Sequence, residues 1–218
     1  ISIFNNKQSA LEKVDTLEFE KAVAIFYRIP FGDKLFPEES EYVSAAKMVV
    51  DNSFSDAESA FIALGNYRNA ATAAKEARYQ AGMQFLSEND FENASTAFYK
   101  IPNYRDAVEQ WQYARYMRAS NLISNGDIDT AFPILTTLAA EGYSDAKTLI
   151  VDTCIQTAKD LESQGSYGAA YQALLPAEDY GDIYTLLTDY REQAYYKGVN
   201  EYRSDDFSSA KAQFACIG

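Results

Sequence analysis

A short pattern of apolar and polar residues recurs along the chain and is clearest in residues 90–98. It consists of a capping residue, a large apolar residue, an alanine three positions later and a second large apolar residue four positions after that. This spacing places the apolar side chains on one face of an α-helix and predicts a short amphipathic helix at each copy. The six copies are Phe19, Ala22 and Phe26; Phe54, Ala57 and Phe61; Phe91, Ala94 and Phe98; Ile128, Ala131 and Leu135; Tyr167, Ala170 and Leu174; Phe207, Ala210 and Phe214.

A small residue stands nine positions before the first large apolar residue of every copy. Alanine or glycine allows two helix axes to approach closely, whereas a larger side chain forces them apart. We therefore expect these positions to be helix crossings, together with the alanines of the short helices such as Ala94 and Ala131. The six small residues are Ala10, Ala45, Gly82, Ala119, Ala158 and Gly198.

A second pattern marks the start of longer helices. The opening Asn66-Tyr67-Arg68-Asn69-Ala70 returns around Tyr104, Tyr143 and Tyr180, at spacings of 37, 39 and 37 residues. Small or apolar residues follow each tyrosine in alternating steps of three and four, as on one helix face. The sequence predicts long helices near 67–88, 104–125, 143–164 and 180–204, short helices near 54–64, 91–101, 128–140, 167–177 and 207–216, and no β-strand.

One pair of such helices cannot bury its apolar stripe alone, so consecutive pairs must stack on each other. We predict an all-α fold, a right-handed α-solenoid of stacked helical hairpins with repeats of about 35–40 residues. It forms a single array over residues 1–218, with units near 1–29, 30–66, 67–103, 104–142, 143–179 and 180–218. The last short helix has the same apolar pattern as the internal ones. We therefore expect a fragment of a longer protein that continues beyond residue 218 and self-associates through its C-terminal repeat.

The motif formed by Gly82, Asp90, Phe91, Ala94 and Phe98 resembles the tetratricopeptide repeat, in a divergent bacterial form. The spacing departs from that family's, because the repeats are longer and each long helix begins with an added tyrosine-containing turn. The resemblance implies a helical-hairpin solenoid that binds an extended peptide along its concave face, which the long helices line.

That register places a ladder of tyrosines beside carboxylates on the concave face. Tyrosine rings stack on a ligand and hydrogen-bond to it, and the carboxylates favour a basic one. The alternative is that tyrosines at a repeated position pack between adjacent long helices. The candidate ligand-binding residues are Tyr42, Glu76, Tyr79, Tyr113, Tyr116, Asp152, Glu192 and Tyr195.

Composition restricts the partners and the chemistry. A formal net charge of -13 argues against nucleic acids and anionic membrane surfaces, because both would be repelled. Histidine is absent, which removes the commonest general base and the commonest transition-metal ligand. Cys154 and Cys216 have no metal-binding spacing, and no membrane span, phosphate loop or nucleophile motif is recognisable. We expect no enzyme activity, cofactor or metal, and we expect Arg115, Arg118 and Arg191 to pair with the acidic surplus rather than to grip a ligand carboxylate.

Two functions remain. The first is a non-catalytic protein–protein interaction scaffold that binds a peptide or protein partner, including a basic one, on the concave face. The second is a small-molecule or glycan binding module of a surface-exposed bacterial protein. The sequence leaves the compartment open: the segment fits the cytoplasm or the exposed part of a membrane-anchored or secreted protein.

Overall fold

A computed structural model describes residues 2–218, and within this range every regular element is a helix. The predicted all-α class is confirmed, since residues 2–218 contain no β-strand. The chain divides into two compact units, one up to Ala114 and the other from Arg115 to Gly218. Each unit is described separately below.

The first unit alternates long and short helices, and over residues 2–99 the consecutive long and short helices pack on each other. Helix α3 is an addition to the sequence prediction and follows Phe31, whose φ of 55° is left-handed. The helices are α1 (Ser2–Asp15), α2 (Phe19–Phe26), α3 (Gly32–Leu35), α4 (Pro37–Val50), α5 (Phe54–Ala63), α6 (Ala70–Ser87), α7 (Phe91–Tyr99) and the first part of α8 (Ala107–Ser124).

The second unit repeats the alternation. Helix α10 packs on α9 and α11, and α12 packs on α11 and α13. The elements are the remainder of α8, α9 (Ile128–Ala140), α10 (Ser144–Ser163), α11 (Tyr167–Leu174), a single 3₁₀ turn (Leu175–Ala177), α12 (Tyr184–Arg203) and α13 (Phe207–Ile217).

The recurring small residues lie where long and short helices cross. All six small positions of the long helices are buried, and so are the six alanines of the short helices, including Ala94 and Ala131. A Cβ atom on Gly82 would lie 2.7 Å from the Phe98 ring, and one on Gly198 would lie 2.8 Å from the Phe214 ring. Glycine is therefore required at these two crossings because a phenylalanine ring occupies the space of a side chain.

Each long helix ends in the same turn. A residue with φ between 59° and 82° follows the helix, and the next backbone N–H donates to a carbonyl five positions earlier, as Asp90 does to Phe85 (2.9 Å). This is the Schellman arrangement, which turns the chain sharply into the following helix. The left-handed residues are Leu17, Asn52, Asn89, Gly126, Gly165 and Asp205. Gly126 and Gly165 supply this residue after α8 and α10, with φ of 82° and 72°.

The predicted starts of the long helices need correction. Helices α6 and α8 begin at Ala70 and Ala107, three residues after the opening tyrosines Tyr67 and Tyr104. The residue after each tyrosine has a left-handed backbone, with φ of 46° at Arg68 and 48° at Arg105, which an α-helix cannot include. The opening tyrosines therefore stand on a turn in front of the helix.

We expect Ala94→Leu to lower the free energy of unfolding by about 1–3 kcal/mol, because the added atoms overpack a closed helix crossing. Ala24→Leu is the matched control, since Ala24 is an exposed alanine on another short helix. Urea denaturation followed by circular dichroism measures both. Equal stability of the two variants would show that α7 has room at Ala94.

Gly126→Ala should lower the free energy of unfolding by about 1–2 kcal/mol, because alanine is strained at a φ of 82°. No neighbouring atom lies within 4 Å of the added Cβ, so a steric clash does not contribute. Gly126→Asn should cost less than half as much, because asparagine tolerates this conformation and occupies it at Asn52 and Asn89. Thermal melts of the two variants provide the comparison. An asparagine variant as unstable as the alanine variant would contradict this explanation.

Candidate functional site

Two of the predicted ladder tyrosines are buried. Tyr42 is fully buried and Tyr79 is 8% exposed, and their hydroxyls donate to the carboxylates of Asp15 (2.9 Å) and Asp106 (2.7 Å). Burial, followed by the hydrogen bond to Asp106, raises the pKa of Tyr79 to about 12. The Tyr79 hydroxyl, which was expected to hydrogen-bond to a ligand, is bonded to a carboxylate of the protein itself.

These tyrosines are buried because the opening tyrosine of the next long helix packs against them. The ring centroids lie 5.4 Å apart for Tyr42 and Tyr67, 6.1 Å for Tyr79 and Tyr104, and 5.5 Å for Tyr116 and Tyr143. We call each such contact a tyrosine junction. Aromatic pairs at these separations attract each other beyond the area they bury. At each junction the ladder tyrosine therefore packs against the start of the next long helix.

The junction at Tyr79 is also a charge cluster. The predicted site residue Glu76 is 5% exposed, accepts a hydrogen bond from the Tyr104 hydroxyl (2.6 Å) and pairs with Arg105 (2.8 Å). The Arg105 guanidinium lies 5.0 Å from the centre of the Tyr79 ring. Tyr104, Arg105 and Asp106 therefore each make a polar contact with α6. Glu76 holds two elements of the fold together.

Three other predicted residues are at least partly exposed. Tyr113 is exposed on the first unit. Tyr116 is half-buried beside Tyr143, and burial, with the nearby carboxylates of Asp145 and Asp152, raises its pKa. Asp152 is exposed and lines a depression of about 350 Å³ in the second unit.

The last two predicted residues, Glu192 and Tyr195, share an open cleft of about 600 Å³ in the second unit. Helix α12 forms one wall of this C-terminal cleft, and the end of α13, Tyr171 of α11 and Glu178 after the 3₁₀ turn complete it. Tyr184, Tyr195 and Tyr196 are 77%, 54% and 63% exposed. The cleft is lined by Tyr171, Glu178, Tyr184, Leu187, Thr188, Arg191, Glu192, Tyr195, Tyr196, Ile217 and Gly218.

Sequence reasoning missed Tyr184 and Tyr196 and assigned Arg191 to internal pairing. Among the described residues Arg191 has no ion pair, whereas Arg115 pairs with Glu141 (2.8 Å) as expected. The signal was present in the spacing, because Tyr184, Thr188, Arg191 and Tyr195 follow steps of four, three and four along α12. These steps place the four side chains on one helix face.

The end of the second unit also exposes an apolar side chain, as Phe207 of α13 is 55% exposed while Phe214 and Ile217 are half-buried. None of the helices within residues 2–218 combines the length and apolarity needed to span a bilayer. The same residues contain no group of three or more side chains positioned to hold a metal ion.

No protein-family model, characterised protein or solved structure significantly matches this chain. A functional assignment therefore depends on the geometry of the residues described above.

Tyr79→Phe should destabilise the protein by about 1–3 kcal/mol near pH 8, because it removes a hydrogen bond to a carboxylate. The folded-state pKa of Tyr79, about 12, lies above the ordinary tyrosine value near 10. The hydroxyl therefore contributes fully below pH ~10 and loses its contribution as the pH rises toward ~12.

Urea denaturation of both proteins at several pH values should show the stability difference shrinking in that window. Tyr113→Phe is the control, since Tyr113 is an exposed tyrosine of the same unit and should change little at any pH. A difference for Tyr79→Phe that stays constant from pH 8 to 12 would exclude the buried hydrogen bond as its source.

Proposed function

We propose that the chain is a non-catalytic interaction scaffold, a right-handed α-solenoid of tetratricopeptide-like hairpins that binds a peptide or protein partner. Three features support the solenoid: a closing turn of one kind after each long helix, small residues at every crossing, and packing of consecutive long and short helices on each other over residues 2–99 and 128–217. Repeated units that contact only their neighbours are the defining property of such arrays.

The observation that carries the binding function is the C-terminal cleft. It combines exposed tyrosine rings with the guanidinium of Arg191 and the carboxylates of Glu178 and Glu192, and within residues 2–218 none of these three has an ion pair. Exposed aromatic rings and unpaired charged groups in one concave site are typical of recognition surfaces. These groups suit binding by stacking and hydrogen bonding.

The charge of the cleft favours a basic partner. The chain has 32 acidic and 19 basic residues, and two of the three charged side chains in the cleft are carboxylates. A positively charged peptide is attracted to such a surface, and its binding weakens as salt screens the charges.

A glycan is the second candidate, and the exposed faces of Tyr184, Tyr195 and Tyr196 favour it. Each ring offers a flat apolar surface with a hydroxyl at its edge, which suits a ligand with apolar faces and a polar rim. Such a ligand is uncharged, so its affinity would not depend on salt.

An array of 12-residue peptides with net charges from −4 to +4, together with chitotetraose and maltotetraose, tests the proposal. Binding to the whole chain is measured by calorimetry for the best peptides and for both sugars. We expect basic peptides to bind. We expect each of the single variants Tyr184→Ala and Tyr195→Ala to weaken this binding by about tenfold or more, which corresponds to a loss of a few kcal/mol of binding free energy at most. Tyr27→Ala, at another exposed tyrosine, is the matched control.

Binding of the sugars alone would favour the second candidate. Binding of no peptide and no sugar, or peptide binding that both tyrosine variants leave unchanged, would overturn the assignment of the cleft.

A further inference from the structure

Two depressions on the protein are lined by the same positions of two different repeats. Besides the depression that Asp152 lines, the first unit has one of about 400 Å³ that Glu76 lines. Each of these acidic residues stands nine positions after an opening tyrosine, and a glutamine follows four positions later in both copies. We call the two the Glu76 depression and the Asp152 depression. The matched lining residues are Val49, Phe54, Glu76 and Gln80 in the first, and Ile123, Ile128, Asp152 and Gln156 in the second.

The chain itself supplies the cations of the Glu76 depression. Arg105, which stands 29 positions after Glu76, pairs with its carboxylate at 2.8 Å. Lys21 lines the same depression and pairs with Glu18. The charges of this copy are therefore balanced from within, and Arg105 shows which basic group an acidic residue at this position takes.

The Asp152 depression has no such cation. Gly181 stands 29 positions after Asp152, at the place that Arg105 has relative to Glu76. The lining contains no basic residue, and within residues 2–218 neither Asp152 nor Asp160 has an ion pair. The depression lies between α8, α9 and α10, and described helices precede and follow it along the chain.

The other groups of this lining suit an arginine side chain. Ile123 and Ile128 offer an apolar surface to its methylene groups. The exposed Asp152 carboxylate matches its guanidinium, which is a fork of N–H donors. Gln156 donates through Nε2 to Asp160 (2.9 Å), and within the described residues its Oε1 accepts no hydrogen bond. That oxygen is therefore a second acceptor beside Asp152.

We propose that the Asp152 depression binds an arginine side chain of a basic partner, with the guanidinium on Asp152 and Gln156 and the stem on the two isoleucines. The site is separate from the C-terminal cleft. It adds a second contact for the basic partner of the proposed function, and it rests on that function for the partner's being a polypeptide.

A second copy of the chain is a less suitable source of the arginine. Each copy has a formal net charge of -13, so two copies repel each other, whereas a basic peptide is attracted. Several arginines of a second copy would also have to leave acidic residues of their own chain, namely Arg68, Arg78, Arg105 and Arg115.

The probe is the tripeptide acetyl-Gly-Arg-Gly-amide, and its control is the same peptide with citrulline, which has the shape of arginine without its charge. Backbone amide NMR spectra of the isotope-labelled whole chain are recorded during titration with each peptide to about 20 mM, since one side chain gives millimolar affinity. We expect the arginine peptide to shift the signals of residues lining the depression in a saturable manner. The citrulline peptide should bind at least about fivefold more weakly, because it makes no charge-assisted hydrogen bonds.

Variants of the protein locate the binding. Asp152→Asn should weaken the arginine peptide by about fivefold or more, whereas Asp152→Glu, with the residue type of the first depression, should keep its affinity within about twofold. Asp189→Asn is the matched control, because Asp189 is exposed in the same unit, outside the depression and the cleft. Both asparagine variants change the net charge equally, so a difference between them is a local effect.

Three results would overturn the proposal: no saturable shift up to about 20 mM, equal affinities for the arginine and citrulline peptides, or binding that survives Asp152→Asn. Light scattering tests the source of the arginine. Self-association of the chain that Asp152→Asn abolishes would identify a second copy and would also overturn the proposal.

The two functional proposals fail separately. If array peptides bind in the C-terminal cleft and the tripeptide does not bind, the interaction function stands and the Asp152 site is wrong. If the tripeptide binds at Asp152 and no array peptide depends on Tyr184 or Tyr195, the Asp152 site stands and the assignment of the cleft is wrong.

Discussion

The close crossing of a long and a short helix at alanine or glycine is the contact on which the rest of the structure depends. At Gly82 the ring of Phe98 fills the space that a side chain would take, and the same holds for Gly198 and Phe214. Such a crossing fixes the distance between two helix axes, and the turn between them must then reverse the chain within about three residues. That requirement explains why a left-handed residue follows every long helix even where it is leucine, asparagine or aspartate.

Features determined inside one hairpin could be predicted from the sequence. The small positions, the apolar face of the short helix, the aspartate caps at Asp90, Asp127 and Asp206, and the glycines of two turns each depend on residues nearby in the chain. The starts of α6 and α8 and the burial of Tyr79 could not be predicted, because they depend on two arginines with a left-handed backbone, Arg68 and Arg105, that reach Asp15 and Glu76 on earlier long helices. Helix propensity and periodicity contain no information about that reach.

The ladder tyrosines show why repetition alone does not distinguish packing from recognition. Tyr79 and Tyr195 have the same spacing to a carboxylate and to a phenylalanine, so their sequence context is almost the same. Their exposure differs because a neighbouring turn covers one and not the other. The same side chains can therefore stabilise a contact within the chain or remain available to a partner, and only the three-dimensional structure distinguishes the two cases. Two of the eight candidate residues, Glu192 and Tyr195, share the open cleft for this reason.

The packing of neighbouring long and short helices on each other has a consequence for how the chain folds. Tyr79 and Tyr104 are 25 residues apart, and Tyr79 and Phe98 are 19 apart, so the contacts that define a junction span short stretches of sequence. Closing a short loop costs little chain entropy, and proteins dominated by such local contacts fold quickly. Nucleation can then begin at any hairpin and spread to its neighbours. A growing chain can complete each hairpin as soon as the next opening tyrosine has been synthesised, without waiting for its distant end.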